Sequence, residues 1–237
     1  MLRSRIAKAR WKTTHLSKMH NVESIRKLLT SKLIHKRFVR DKSGANLVEL
    51  VGCSFKADEP AIFGTPDEDY INREIEWYET QSLKPADMLG KTPAIWEQIS
   101  SDKGEINSNY GYLIYSKENG KQYWRVRDLL KNDPNTRRAS MIYQRPTMHE
   151  DFDRDGMSDF ICTNAVQYFI RDDKLHAVVQ MRSNDAYFGY RNDYAWQRYV
   201  QTNLANDVGV EAGDLIWNAA SLHLYERHFK LVKTSWE

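Results

Sequence analysis

The chain holds 237 residues, 41% of them hydrophobic and 28% charged, with a formal net charge of +3 at pH 7. That length suits one large domain with a sizeable core, and no apolar run is long enough to cross a bilayer. Two cysteines, Cys53 and Cys162, exclude a disulfide framework and fit a reducing cytosol.

Residues 1–20 carry Arg3, Arg5, Lys8, Arg10, Lys12 and Lys18 and no acid. Such a stretch reads as a flexible, solvated extension, with a transit peptide or a nucleic-acid arm as the alternative. Residues 21–237 show no linker or repeat, so they are expected to form a single domain. Asn21 can cap a helix with Ile25, Leu28, Leu29 and Leu33 on one side. Residues 46–55 alternate as a strand in which Cys53 fills apolar space. Thr65-Pro66-Asp67-Glu68 has the form of a capping box with proline at the first helical position. The helix it opens places Ile71, Ile75 and Tyr78 on one face and carries Glu74. A further helix is expected over 123–131, stopped by Asp133-Pro134.

A short strand is expected over 140–143. Two β-rich runs, 165–170 and 175–181, should form a hairpin through residues 171–174. A last long helix should follow Asp193, with Trp196, Tyr199, Val200 and Leu204 at helical spacing. Helices mixed with mostly antiparallel strands give an α+β layered fold. The acidic run from Asp151 to Gly156 imitates the start of a calcium loop. The twelfth position, where that loop needs Glu, is Cys162; the run reads as a solvated turn. No His/Cys cluster has zinc-ligand spacing, so no metal is expected.

The segment from Cys162 to Asp193 concentrates the chemistry. A thiol such as Cys162 can add to an electron-poor ring once a nearby cation lowers its pKa. Arg182-Ser183 can hold a phosphate, because the guanidinium fork donates two parallel bonds. Asp193 can read the edge of a base; as an ordinary residue it would cap a helix beginning at Asn192-Asp193.

Motifs spread along the chain carry a resemblance. They are DKSG (41–44), REIEWY (73–78), INSNYG (106–111), Arg137-Arg138, SDFICTN (158–164), MRSND (181–185), GYRND (189–193) and SLHLYERH (221–228). In this order they resemble the thymidylate synthase family, and within it the deoxycytidylate-hydroxymethylating branch of tailed bacteriophages. The resemblance covers residues 21–237. It implies a large mixed β-sheet flanked by helices, and a homodimer joined sheet to sheet.

The resemblance also implies roles. Cys162 would add to C6 of the pyrimidine, and Glu74 would relay protons. Lys42, Arg182 and Ser183 would clamp the phosphate, with Arg137 and Arg138 reaching across the dimer interface. His223 and Tyr225 would bond the sugar 3′-hydroxyl, and Trp96, Tyr110 and Asp185 would line the folate pocket. Thymidylate synthases have Asn at the position of Asp193, where the amide pairs with uracil. A carboxyl group can accept from the cytosine N4 amine and, when protonated, donate to N3.

The implied substrates are therefore dCMP and 5,10-methylenetetrahydrofolate, with water capturing the methylene to give 5-hydroxymethyl-dCMP. Reductive methylation to 5-methyl-dCMP is the alternative within this chemistry, and a non-catalytic nucleotide- or RNA-binding relative the alternative outside it. The resemblance further implies a cytoplasmic enzyme of a phage-infected host, with a place in a nucleotide-synthesis complex. Ending at Trp236-Glu237, the chain is expected to bring a short tail to the folate site.

Overall fold

The computed structural model describes residues 19–233. The expected basic extension, apart from Met19 and His20, and the tail ending at Trp236-Glu237 lie outside the described residues. The strands are β1 (His20–Asn21), β2 (Val39–Arg40), β3 (Asn46–Lys56), β4 (Ser140–Ile142), β5 (Thr163–Arg171), β6 (Lys174–Met181), β7 (Asn184–Asp185) and β8 (Glu211–Tyr225). The helices are α1 (Val22–Ile34), α2 (Glu68–Thr80), α3 (Ala94–Ile99), α4 (Tyr110–Tyr115), α5 (Gln122–Asn132), α6 (Met148–Asp151), α7 (Gly189–Val208) and α8 (Phe229–Lys233).

Among the described residues the strands form one mixed sheet in the order β1-β3-β8-β6-β5-β4, with β2 on β3 and β7 on β8. β1 runs parallel to β3, and β6 and β7 run parallel to β8; the other pairings are antiparallel. β8 joins the two halves, since its Ala219 lies opposite Cys53 of β3 on one side and Met181 of β6 on the other.

Local chemistry accounts for most element boundaries. Asn21 caps α1 by accepting from the Ser24 amide at 3.1 Å. The β5–β6 hairpin turns through Asp172 and Asp173, both at positive φ (50° and 57°), the primed-turn geometry that matches strand twist. Two expected helix starts are displaced. The cap of α2 is Asp67, which accepts from the Tyr70 amide at 3.1 Å, rather than Thr65, so Pro66 falls just outside the helix. α7 begins at Gly189, which places Asp193 inside the helix and removes it from the cap. The Asp185 carboxylate meets the Tyr187 and Phe188 amides instead, each at 3.1 Å, and turns the chain into α7.

One face of the sheet is covered. Val179 of β6 with Leu215 and Trp217 of β8 is buried, and so are Tyr190, Trp196, Val200 and Leu204 of α7. On the other face Ser54 and Gln180 are exposed, and Val178, Ile216 and Asn218 half-buried. Cys53 is likewise half-buried. α2 and α4 meet backbone to backbone at Gly111, where a Cβ would lie 1.8 Å from the Tyr78 carbonyl oxygen. Only glycine permits that approach, and beside it Tyr78 of α2 stacks on Tyr110 of α4.

Candidate active site

Cys162 sits at the mouth of β5. Its Sγ lies 3.7 Å from Arg182 Nη2 at the end of β6. Arg182 also holds the thiol's own loop, donating from Nε to the Ile161 carbonyl at 2.9 Å and from Nη2 to the Phe160 carbonyl. Its backbone amide bonds the Cys162 carbonyl at 2.9 Å. A β-bulge between Thr163 and Ala165 follows at once, and both the Tyr143 and Gln144 amides donate to Asn164 O. A bulge re-aims the residues beside it.

The expected lowering of the thiol pKa is not what the folded site produces. Burial pushes Cys162 up to about 11, while Arg182 pulls it down and Asp193 and Asp159 push it further up. Desolvation outweighs the cation here. At neutral pH this leaves Cys162 in the thiol form.

Asp193 accepts from Asn184 Nδ2 at 2.7 Å. Burial, with the charge of Glu74 adding to it, raises its pKa to about 8, although hydrogen bonds from Asn184 and Tyr110 oppose the rise. Asp193 is thus largely protonated at neutral pH. Glu74 is 5% exposed, and burial lifts it to about 7 against a hydrogen bond from the Tyr70 hydroxyl. Trp96 Nε1 donates to that same hydroxyl at 3.1 Å. Trp96, Tyr70 and Glu74 therefore form a directional chain, each group donating to the next. Tyr110 stacks on Tyr78 with centroids 5.4 Å apart, and it sits close enough to Asp193 to lower that carboxyl's pKa against the effect of burial.

Other expected residues border this centre. His223 and Tyr225 lie on β8 with rings 4.7 Å apart, and His223 Nδ1 is 3.2 Å from Ser221 Oγ. Burial lowers the His223 pKa, which keeps the imidazole neutral. Asp185 has His228 Nδ1 at 3.6 Å. Burial pushes its carboxylate up, but His228 and the Tyr187 and Phe188 amides outweigh that and hold it below the usual range. Ser183 is half-buried between Arg182 and Asn184, and Lys42 is exposed on the β2–β3 loop. The pairing of Leu47 with Tyr225 sets that loop beside the end of β8.

Neither Arg137 nor Arg138 has a side-chain contact with the cluster among those seen in the described residues. Both are exposed on the loop before β4, where Arg138 Nη2 lies 3.9 Å from Asp133 Oδ2.

Sequence reasoning passed over three residues that build the site. Tyr70 links Trp96 to Glu74, as above. Asp159 accepts from the Asn107 and Ser108 amides and from Ser108 Oγ, at 2.7–2.8 Å, and so ties the Cys162 loop to the segment before Tyr110. Asn184 bridges Asp193 and Trp217, accepting from Trp217 Nε1 at 3.2 Å. The acid at 159 and the i,i+4 spacing of Tyr70 and Glu74 were visible signals; Asn184 stood within the MRSND motif, which assigned it no role.

Residues 68–237 match the family model described as thymidylate synthase. The chain is 52% identical over 229 residues to the deoxycytidylate 5-hydroxymethyltransferase of Enterobacteria phage T4, covering 94% of this chain and 93% of that protein. It is 30% identical over 172 residues to the thymidylate synthase of Bacillus subtilis subsp. natto, covering 70% and 60%. The fold matches the crystal structure of thymidylate synthase from T4 phage with a TM-score of 0.74 at 19% identity, covering 90% and 80%. No helix among the described residues is long and apolar enough to cross a membrane. By the family match and these relatives, the chain belongs to the thymidylate synthase family.

Proposed function

We infer that the protein is a deoxycytidylate 5-hydroxymethyltransferase using 5,10-methylenetetrahydrofolate and water. One feature carries the choice of base: the half-buried carboxyl group of Asp193, held by Asn184 in the same centre as Cys162 and Arg182, with desolvation raising its pKa to about 8. Such a group can donate to N3 of cytosine while accepting from N4. The relatives named as deoxycytidylate 5-hydroxymethyltransferases support the same reading.

Cys162 adds through sulfur to C6 of dCMP, and C5 becomes nucleophilic. C5 bonds to the one-carbon unit of the folate and loses its proton. Elimination of tetrahydrofolate then leaves a methylene at C5. Water adds to that methylene and the C6–S bond breaks, giving 5-hydroxymethyl-dCMP with no oxidation of the folate. Glu74, poised near neutrality, takes and returns protons through ordered water. Lys42, Arg182 and Ser183 hold the phosphate, His223 and Tyr225 the 3′-hydroxyl, and Trp96, Tyr110 and Asp185 border the folate. The setting is the cytoplasm of an infected host.

Incubation with dCMP, dUMP or CMP plus methylenetetrahydrofolate, followed by mass analysis, tests this directly. The expected product is dCMP heavier by one CH2O unit, formed without dihydrofolate. A product heavier by one CH2 unit, with dihydrofolate, would replace hydration by hydride transfer. No product from any nucleotide would leave only a binding protein.

The half-exposed sheet face suits a homodimer, in which Arg137 and Arg138 of the partner subunit complete the phosphate site. Their exposure and their separation from Cys162 in one protomer support this arrangement. An inactive Arg137→Ala subunit mixed with an inactive Cys162→Ser subunit should then recover up to about a quarter of wild-type activity, since half of the mixed dimers' sites regain every group. Confirmed heterodimers without recovery would rule out sharing.

A further inference from the structure

We propose that Asn184 decides which oxygen of Asp193 carries the proton, and thereby gives the site its polarity for cytosine over uracil. The proposal rests on the cytosine reading above. Trp217 Nε1 can only donate, and its partner is Asn184 Oδ1 at 3.2 Å. The carbonyl end of the amide is thus turned toward β8, and Nδ2 toward Asp193 Oδ2 at 2.7 Å. An amide N–H has no lone pair to offer, so Oδ2 is held as an acceptor and a proton on Asp193 sits on Oδ1.

A carboxyl group in that state shows a donor, Oδ1–H, beside an acceptor, the remaining lone pair of Oδ2. Cytosine presents the complement, an acceptor at N3 and a donor at N4. Uracil presents the reverse, N3–H and O4, and would meet donor with donor and acceptor with acceptor. The other groups facing Asp193 do not select an oxygen. Tyr110 has a hydroxyl that can donate or accept, and the charges of Glu74 and Asp185 oppose ionisation of the carboxyl as a whole.

The test is kcat/KM for dCMP and dUMP across neutral and alkaline pH, in wild type, Asn184→Leu and Asn184→Asp. Loss of the donor in Asn184→Leu should lower the dCMP/dUMP ratio by about tenfold. It should also move the alkaline limb for dCMP upward, since the carboxylate loses a stabilising N–H. Asn184→Asp, once ionised, would draw the Asp193 proton to Oδ2 and leave Oδ1 a bare acceptor, so its ratio should fall further. A merely structural Asn184 would cost melting temperature and depress both nucleotides equally.

A ratio within about twofold of wild type, with an unmoved alkaline limb, overturns the proposal. Should neither variant fold, Trp217→Phe removes the N–H that orients the Asn184 amide and should lower the ratio; an unchanged ratio there overturns the proposal too. A wild type that itself prefers dUMP would instead overturn the cytosine reading, which separates the two failures.

Discussion

Cys162→Ser is expected to cut turnover by at least about a thousandfold while leaving dCMP binding within a few-fold of wild type. The structure sharpens the reason. Burial already holds the thiol near 11, with Arg182 pulling the other way, so the anion is scarce even for sulfur. A serine hydroxyl starts several units higher still and cannot supply the anion. Phosphate and sugar contacts do not involve sulfur, so binding persists. Rapid-quench turnover together with calorimetric dCMP titration checks both halves. Wild-type turnover in Cys162→Ser would end the covalent mechanism. Cys53→Ser is the control, since Cys53 lies on β3, a half-buried residue outside the cluster.

Asp193→Asn is expected to move preference from dCMP toward dUMP. An amide cannot donate to N3 and accept from N4 in the arrangement a protonated carboxyl provides. An unpaired group on a desolvated base costs about 1–3 kcal/mol, or roughly 5- to 150-fold in dCMP specificity. Stability gives a second readout with a definite sign. The folded carboxyl titrates at about 8, against about 4 in an unfolded chain. Between those values the folded state keeps a proton that the unfolded state releases, so wild-type stability declines as pH rises through that window and levels off above it. The variant lacks this slope, and its melting temperature relative to wild type should climb from about pH 4 to about pH 8. A helix-capping role predicts the opposite, a lower melting temperature with an unchanged nucleotide ratio; the start of α7 at Gly189 already argues against it.

Legibility in the sequence followed the range of the interactions. α1 and the β5–β6 hairpin were readable because Asn21 and the Asp172-Asp173 turn act within a few residues. The α2 cap slipped by two positions because both Thr65 and Asp67 are cap-competent and only the fold chooses. α7 was placed late because FGYR reads as a turn, whereas the Asp185 carboxylate organises that stretch as the helix start. α4 is six residues of mostly aromatic and β-branched character with no helical period to detect. Cys162, Arg182, Glu74 and Asp193 stood out because ordered motifs surround them. Asn184 shares the MRSND motif with Arg182 but drew no role from it, because its partners, Asp193 and Trp217, lie 9 and 33 residues away, and an asparagine by itself suits many places.

The position of β8 bears on biosynthesis. This strand joins β3 to β6 at the middle of the sheet, yet among the described residues it is the last strand to be made. While a ribosome is still extending the chain toward residue 211, β3 has an open edge where β8 will lie, and so does β6. Non-local pairing of this kind is slow, and open edges invite association. Folding of the sheet is therefore completed only after release of residues 211–225 from the exit tunnel, and nascent chains depend on late closure rather than on stepwise growth from the amino terminus.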